Sequence, residues 1–245
     1  MSDAVDLNVE PLAHLAVSIY LPDEVPATLP ITYHDNAQQT NYVSPPGDFT
    51  DEVEMPVSTT KQSWYFLTGV EVMAPEDAGA IVALGDSLTD AHLSTQDTDS
   101  RWTDELARRL VEAKFQMGVL NLGTGGGRLL RDRVGESGLH RFDRDVLGQP
   151  GVTHVTVALG INDLRNRGRA ESVTADEIIS GLRQMIVRAH AKDLKIFGAT
   201  LLPNENETFT RGAYTPESEA KRQAINAWIR TSGAFDAVLA FDKAI

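Results

Sequence analysis

A serine hydroxyl can attack a carbonyl carbon when it is exposed beside donors that can hold the resulting negative charge, and three segments have the composition to build such a site. The apolar stretch Ala80–Leu84 breaks into Gly85-Asp86-Ser87-Leu88-Thr89-Asp90. A serine just past a strand, in a glycine turn leading towards a helix, presents its hydroxyl at the strand's carboxyl edge. A helix N-terminus there favours an oxyanion. Taken alone, Gly-Asp-Ser is also an ordinary turn composition. The stretch Gly118–Leu122 runs into Gly123-Thr124-Gly125-Gly126-Gly127-Arg128. A dinucleotide fingerprint requires Gly-x-Gly-x-x-Gly, and its sixth position is Arg128 counted from Gly123 and Leu130 counted from Gly125, so the fingerprint fails. What remains is a loop whose backbone can approach a ligand closely and donate N–H groups. The stretch His154–Leu159 ends in Gly160-Ile161-Asn162-Asp163. An asparagine amide at a strand's end is a neutral, short oxyanion donor; standing alone, it is more often a helix cap.

These loops form one site only if their strands belong to one sheet. From Ala80 onward strand and helix patterns alternate, which predicts a parallel sheet covered on both faces: an α/β fold, a three-layer α/β/α sandwich of flavodoxin-like type. Further strands are expected at Leu194–Thr200 and Ala237–Phe241. In Thr174–Ala191 apolar residues fall at 178, 179, 182, 185, 186 and 189, a 3.6-residue period, with Thr174 and Glu177 as a capping box. Thr215-Pro216 opens a second helix, with Ala220, Ala224, Ile225, Trp228 and Ile229 on one apolar face and Gly233 as its stop. Trp102, Leu106, Leu110 and Val111 mark a third. Ligands on such sheets bind beyond the carboxyl ends of the strands, so all three loops converge on one rim.

Residues 1–75 read differently, as a partial β module or β cap before a domain over 76–245. Leu15–Leu21 and Trp64–Met73 are rich in β-branched and aromatic residues, and Pro45, Pro46 and Gly47 break the chain between them.

The 245 residues carry 22 basic and 35 acidic side chains, a net charge of −13, with 42% apolar residues. The absence of a Lys/Arg run excludes nucleic acid as a partner, and the acidic balance disfavours anionic membranes and polyanionic substrates. The absence of cysteine excludes disulfides, thiolate metal sites and cysteine nucleophiles. No apolar stretch reaches the length of a membrane span, and no signal peptide is visible at the start.

In order and spacing the three loops resemble the SGNH (GDSL-type) serine ester hydrolases. Their block GDSxTD corresponds to Gly85–Asp90, their NxGxxG to Asn121–Gly126 and their GxND to Gly160–Asp163. The likeness runs from about Ala78 to the end of the chain. It is greatest to the arylesterase/acylhydrolase branch, whose members carry an extra β module, with Gln62–Ala74 and the phrase QTNYVSPPGDF as further points of similarity. The resemblance implies a carboxylic ester hydrolase acting on short acyl or aryl esters of small molecules or carbohydrates, without metal or cofactor. Ser87 would be the nucleophile and, through its backbone N–H, the first oxyanion donor. Gly126 would supply a second N–H and Asn162 a side-chain amide. Asp86 and Asp90 would support the turn, and Arg128 would tie the loops together. The resemblance leaves export open, since that branch is often secreted or periplasmic.

The family's fourth block, Asp-x-x-His, has no counterpart. The residues three before His14, His34, His92, His140, His154 and His190 are Pro11, Ile31, Thr89, Ser137, Gly151 and Val187. The sequence reading therefore expects a chain truncated before this block and impaired in catalysis, with His92 as the one native substitute. It further expects association into homo-oligomers through an apolar strip bared by the truncation. Two rival readings are a catalytically inactive remnant serving as a carbohydrate-binding or interaction module, and a flavin or nucleotide binder. Specificity is assigned to loops such as Asn204–Tyr214, which contains the glycosylation sequon Asn206-Glu207-Thr208.

Overall fold

The computed structural model describes residues 2–165, 173–205 and 214–244. The chain forms two compact units, Met1–Pro75 with His92–Ser100, and Glu76–Ala91 with Arg101–Ile245. Apart from its ends, the loop Asn204–Tyr214 and its sequon lie outside the described residues.

The first unit holds two small antiparallel ladders. β1 (Tyr33–His34) pairs with β4 (Trp64–Tyr65), and β2 (Asn41–Val43) pairs with β3 (Thr59–Lys61). Residues His92–Ser100 join this unit through hydrogen bonds. Thr40 donates its backbone N–H and its hydroxyl to the Asp97 carboxylate at 2.6 and 2.7 Å, and His14 Nε2 lies 2.7 Å from Asp99 Oδ2. The β-like run Leu15–Leu21 forms no strand. Leu15, Val17, Ile19, Tyr20 and Leu21 are all exposed, so neither face is buried and no ladder offsets the cost of ordering the backbone. The run Trp64–Met73 is strand only at Trp64–Tyr65.

The second unit is built on a five-stranded parallel sheet in the order β6-β5-β7-β8-β9. Its strands are β5 (Gly79–Gly85), β6 (Met117–Gly123), β7 (Val152–Ala158), β8 (Lys195–Ala199) and β9 (Ala237–Leu239). Helices α1 (Ser87–Asp90), α2 (Trp102–Glu112), α3 (Gly138–Phe142), α4 (Ile161–Leu164), α5 (Ala175–His190) and α6 (Pro216–Thr231) alternate with them. A π-helical turn, Asp143–Leu147, follows α3. This is the α/β/α sandwich expected from the alternating pattern. The chain leaves β5 towards β6 on one side and then crosses to β7 on the other. The carboxyl end of β5 is therefore the point where strand order reverses.

Helix α5 has the expected capping box between Thr174 and Glu177 and buries Ile178, Leu182, Met185, Ile186 and Ala189. Each contributes roughly 1–3 kcal/mol by burial, with Leu and Met at the upper end. In α6 the sequence expectation needs correction. Ile225 and Ile229 are buried as expected, but Ala220 and Ala224 face solvent, while Arg222 and Asn226 are buried. The cause is the carbonyl of Leu201, just past β8, which accepts from Arg222 Nη1 at 2.7 Å and from Asn226 Nδ2 at 2.9 Å. A buried carbonyl left without donors costs more than turning two alanines outward. Gly233 ends the helix at φ +65°.

Candidate active site

The register of the sheet brings the three loops together. Gly85 at the end of β5 is level with Gly123 of β6 and with Ala158 of β7. Adjacent strands lie about 5 Å apart, so the loops leaving β6 and β7 start about 10 Å from each other with the β5 turn between them. Buried Arg141, from α3, fastens two of these ends by donating to Leu122 O at 2.9 Å and Gly85 O at 3.0 Å, with Asp145 as its counter-ion.

Ser87 is the first residue of α1 and is half-buried. Asp86 is its N-cap, accepting the Leu88 N–H at 2.9 Å. Asn121 crosses from β6 to donate to Thr89 O at 2.7 Å and Thr103 Oγ1 at 3.0 Å, which holds α1 against the sheet. The packing is tight enough that a Cβ on Gly123 would stand 2.1 Å from the Asp90 nitrogen, so only glycine fits there.

Gly126 has φ +69°, a left-handed conformation that turns the loop after β6 over the sheet edge. Residues following it are held by Asp163, whose carboxylate accepts the Leu129 N–H at 2.7 Å and the Leu130 N–H at 3.0 Å. Arg128, expected to tie the loops, acts electrostatically on this same carboxylate, and its backbone carbonyl accepts the Gly138 N–H at 2.7 Å.

Asn162, buried in α4, donates Nδ2 to Gly127 O at 2.9 Å and to Asp86 Oδ2 at 3.4 Å, while its Oδ1 accepts from Arg165 at 3.2 Å. One side chain thus spans all three loops. The longer contact to Asp86, the residue before Ser87, is the weaker of its two donations, and the one an incoming oxygen could displace. Gly126 and Asn162 line one cleft with Arg128, Arg133, Val134 and Arg165.

Burial is the dominant influence on both nearby carboxyls. It pushes the Asp86 carboxyl up to about 6, against the opposing pull of the Leu88 N–H and the Arg165 guanidinium. It also raises Asp163, against the Leu129 and Leu130 N–H groups and Arg128.

The histidines described in this unit are engaged elsewhere. His140 Nδ1 lies 3.0 Å from Asp132, whose hydrogen bond raises the imidazole pKa; His154 Nδ1 lies 2.8 Å from Thr153 Oγ1; and His190 Nε2 lies 2.9 Å from Asp236. His92 belongs to the first unit. Among the described residues, no group of His, Asp and Glu has the arrangement to hold a metal ion, and no helix is long and apolar enough to cross a membrane.

Of the residues expected from the sequence, Gly126 and Asn162 line this cleft together; Arg133 and Arg165, which also line it, carried no signal in the sequence. Each follows its loop by a few residues, and only the fold shows that the two stretches share a cleft.

A parallel α/β/α sheet with a Gly-Asp-Ser turn, a glycine loop and a Gly-x-Asn-Asp turn at one switch point is the architecture of the SGNH-type hydrolases. Consistent with this, the model of the GDSL-like Lipase/Acylhydrolase family matches residues 83–244, and the chain belongs to that family. Solved structures share the fold at low identity. The SGNH-hydrolase family esterase AlinE4 is 19% identical, with 70% of this chain and 80% of that one covered at a TM-score of 0.52. A lipase/acylhydrolase from Enterococcus faecalis is 18% identical, with 68% and 77% covered at a TM-score of 0.50. No curated protein sequence matches the chain.

Proposed function

We propose that this protein is a carboxylic ester hydrolase in which Ser87 is the nucleophile. The Ser87 N–H, the Gly126 N–H and the Asn162 amide would hold the tetrahedral oxyanion. The observation that carries this reading is Asn162, whose amide reaches the Ser87 turn through Asp86 and the glycine loop through Gly127. Ser87 Oγ adds to the ester carbonyl and loses its proton, the alcohol departs with a proton, and water then hydrolyses the acyl-serine. Small esters with short acyl or aryl groups, including acylated carbohydrates, are the proposed substrates.

Turnover is proposed to be slow, because His140, His154 and His190 are engaged away from Ser87. With none of these three described histidines serving as its base, the serine hydroxyl keeps its ordinary low reactivity, and catalysis falls to what the oxyanion donors and binding supply, about 10³–10⁴-fold over water. Association of copies through exposed apolar surface belongs to the same reading, and a concentration-independent monomer in size-exclusion chromatography would remove that part.

The test supplies the base from solution. Hydrolysis of an activated acetate ester is followed in added imidazole, for wild type and for Ser87→Ala. The wild-type rate should rise above the imidazole background while the variant follows that background. Identical curves would leave the binding-module reading as the better one.

A further inference from the structure

Hydrogen bonds close a ring through the loops that carry Ser87 and Gly126. The Gly85 carbonyl accepts the Thr124 N–H at 3.1 Å, and the Thr124 carbonyl accepts the Gly127 N–H at 2.8 Å. The Gly127 carbonyl and the Asp86 carboxylate both accept from Asn162 Nδ2, at 2.9 and 3.4 Å, and the Gly85–Asp86 peptide bond completes the circuit. Ser87 follows the ring at Asp86, and Gly126 lies within it between Thr124 and Gly127. At Gly85 the ring passes from the serine turn to the glycine loop, and the same carbonyl also accepts from Arg141 Nη2 at 3.0 Å. Nη1 of that guanidinium donates to Leu122 O at 2.9 Å. A planar fork with fixed donors therefore spans the carboxyl ends of β5 and β6, from which the two loops depart.

Stability alone does not call for Arg141. The ladder already pairs Gly85 with Gly123 through the backbone. The Arg141 side chain is only 5% exposed, and among the described residues its Nε has no hydrogen-bond partner. Its counter-ion, Asp145, is shared with Arg144. Desolvating such a pair consumes most of what the attraction returns, and well-packed apolar residues often serve stability equally well. An apolar residue cannot, however, bond two carbonyls at a set spacing. We infer that Arg141 is a positioning residue for the reaction at Ser87. It sets the separation between the Ser87 turn and the Gly126 N–H, two groups that must meet one substrate. The inference rests on the esterase reading, and Arg141 acts through the main chain rather than by touching substrate.

The test compares wild type, Arg141→Met and Arg141→Lys in labelling by an alkyl fluorophosphonate, with imidazole as the external base. Ser87 Oγ displaces fluoride at phosphorus, its proton passes to imidazole, and the phosphonyl oxygen stands in for the ester's carbonyl oxygen. Rates over a range of probe concentrations separate the saturating rate from the half-saturating concentration. Displacing reacting groups by about 1 Å can slow a reaction about 10²-fold, so Arg141→Met should lower the saturating rate about tenfold or more. Its half-saturating concentration should change little, because the lost interaction acts on the transition state and not on probe binding. Arg141→Lys keeps the charge but not the fork, and its saturating rate should fall between the other two. Circular dichroism and urea denaturation fix conditions in which each protein is fully folded. Should Arg141→Met fail to fold, Arg141→Lys carries the test, and its saturating rate should still lie below that of wild type. A folded variant labelled at the wild-type saturating rate, or one whose loss lies wholly in the half-saturating concentration, would overturn the inference and leave the esterase reading standing. No adduct at Ser87 in wild type would instead remove that reading, and the role of Arg141 with it.

Discussion

Asn162 donates its side-chain amide to the carbonyl oxygen of Gly127 at 2.9 Å, from the end of one strand to the loop that follows another. The same amide nitrogen lies 3.4 Å from Asp86, beside the serine. A group with two such donations is held in orientation before any substrate arrives, which is what electrostatic stabilisation of a developing oxyanion requires.

Asn162→Ala is expected to do two separable things. Removing the amide leaves the buried Gly127 carbonyl without this donor, so stability should fall by about 1–3 kcal/mol in urea denaturation. Reaction at Ser87 should slow by about 10²-fold or more, beyond what the small unfolded fraction explains. A variant that loses stability yet reacts at the wild-type rate would limit Asn162 to a structural role.

Asp163→Ala should cost more stability than Asn162→Ala. It strips the acceptor from two N–H groups, Leu129 and Leu130, and bonds to a charged acceptor are worth about 1.5–3 kcal/mol each. Asp163→Asn keeps one acceptor oxygen and should fall between the two. The denaturation midpoints of the three proteins decide the order.

Burial raises the Asp86 carboxyl from 3.8 to about 6, so the folded state favours its protonated form. The associated stability is fully present below about pH 4 and is lost as the pH rises through about 6, a change of about 3 kcal/mol. Asp163, raised in the same direction, adds to this slope. Asp86→Asn keeps an oxygen to cap the Leu88 N–H and cannot ionise, so its stability should vary less between pH 4 and 6 than that of wild type. Parallel stability curves for the two proteins would contradict this account of Asp86.

The legible parts of the sequence were those governed by local rules. Thr174 and Glu177 announce the start of α5, and Pro216 and Gly233 bracket α6, because caps and stops are made by neighbours along the chain. The position of Ser87, Gly126 and Asn162 just past three strand ends was legible because each lies in a turn of distinctive composition. The failures have long-range causes. Leu15–Leu21 has strand composition but lacks a partner strand, and a strand is a property of two segments. The inner face of α6 is set by the Leu201 carbonyl, some twenty residues away, rather than by its alanines. Arg133 and Arg165 lie 32 residues apart in a chain of strong negative charge. Net charge describes the far field and says little about one cleft.

The most direct test of the account is mass spectrometry after long exposure of the protein to an alkyl fluorophosphonate, with imidazole as the external base. The account predicts one phosphonyl adduct, on the peptide containing Ser87, forming faster as imidazole is added and absent from Ser87→Ala. No adduct at Ser87 under any imidazole concentration, or equal labelling of the variant, would contradict it.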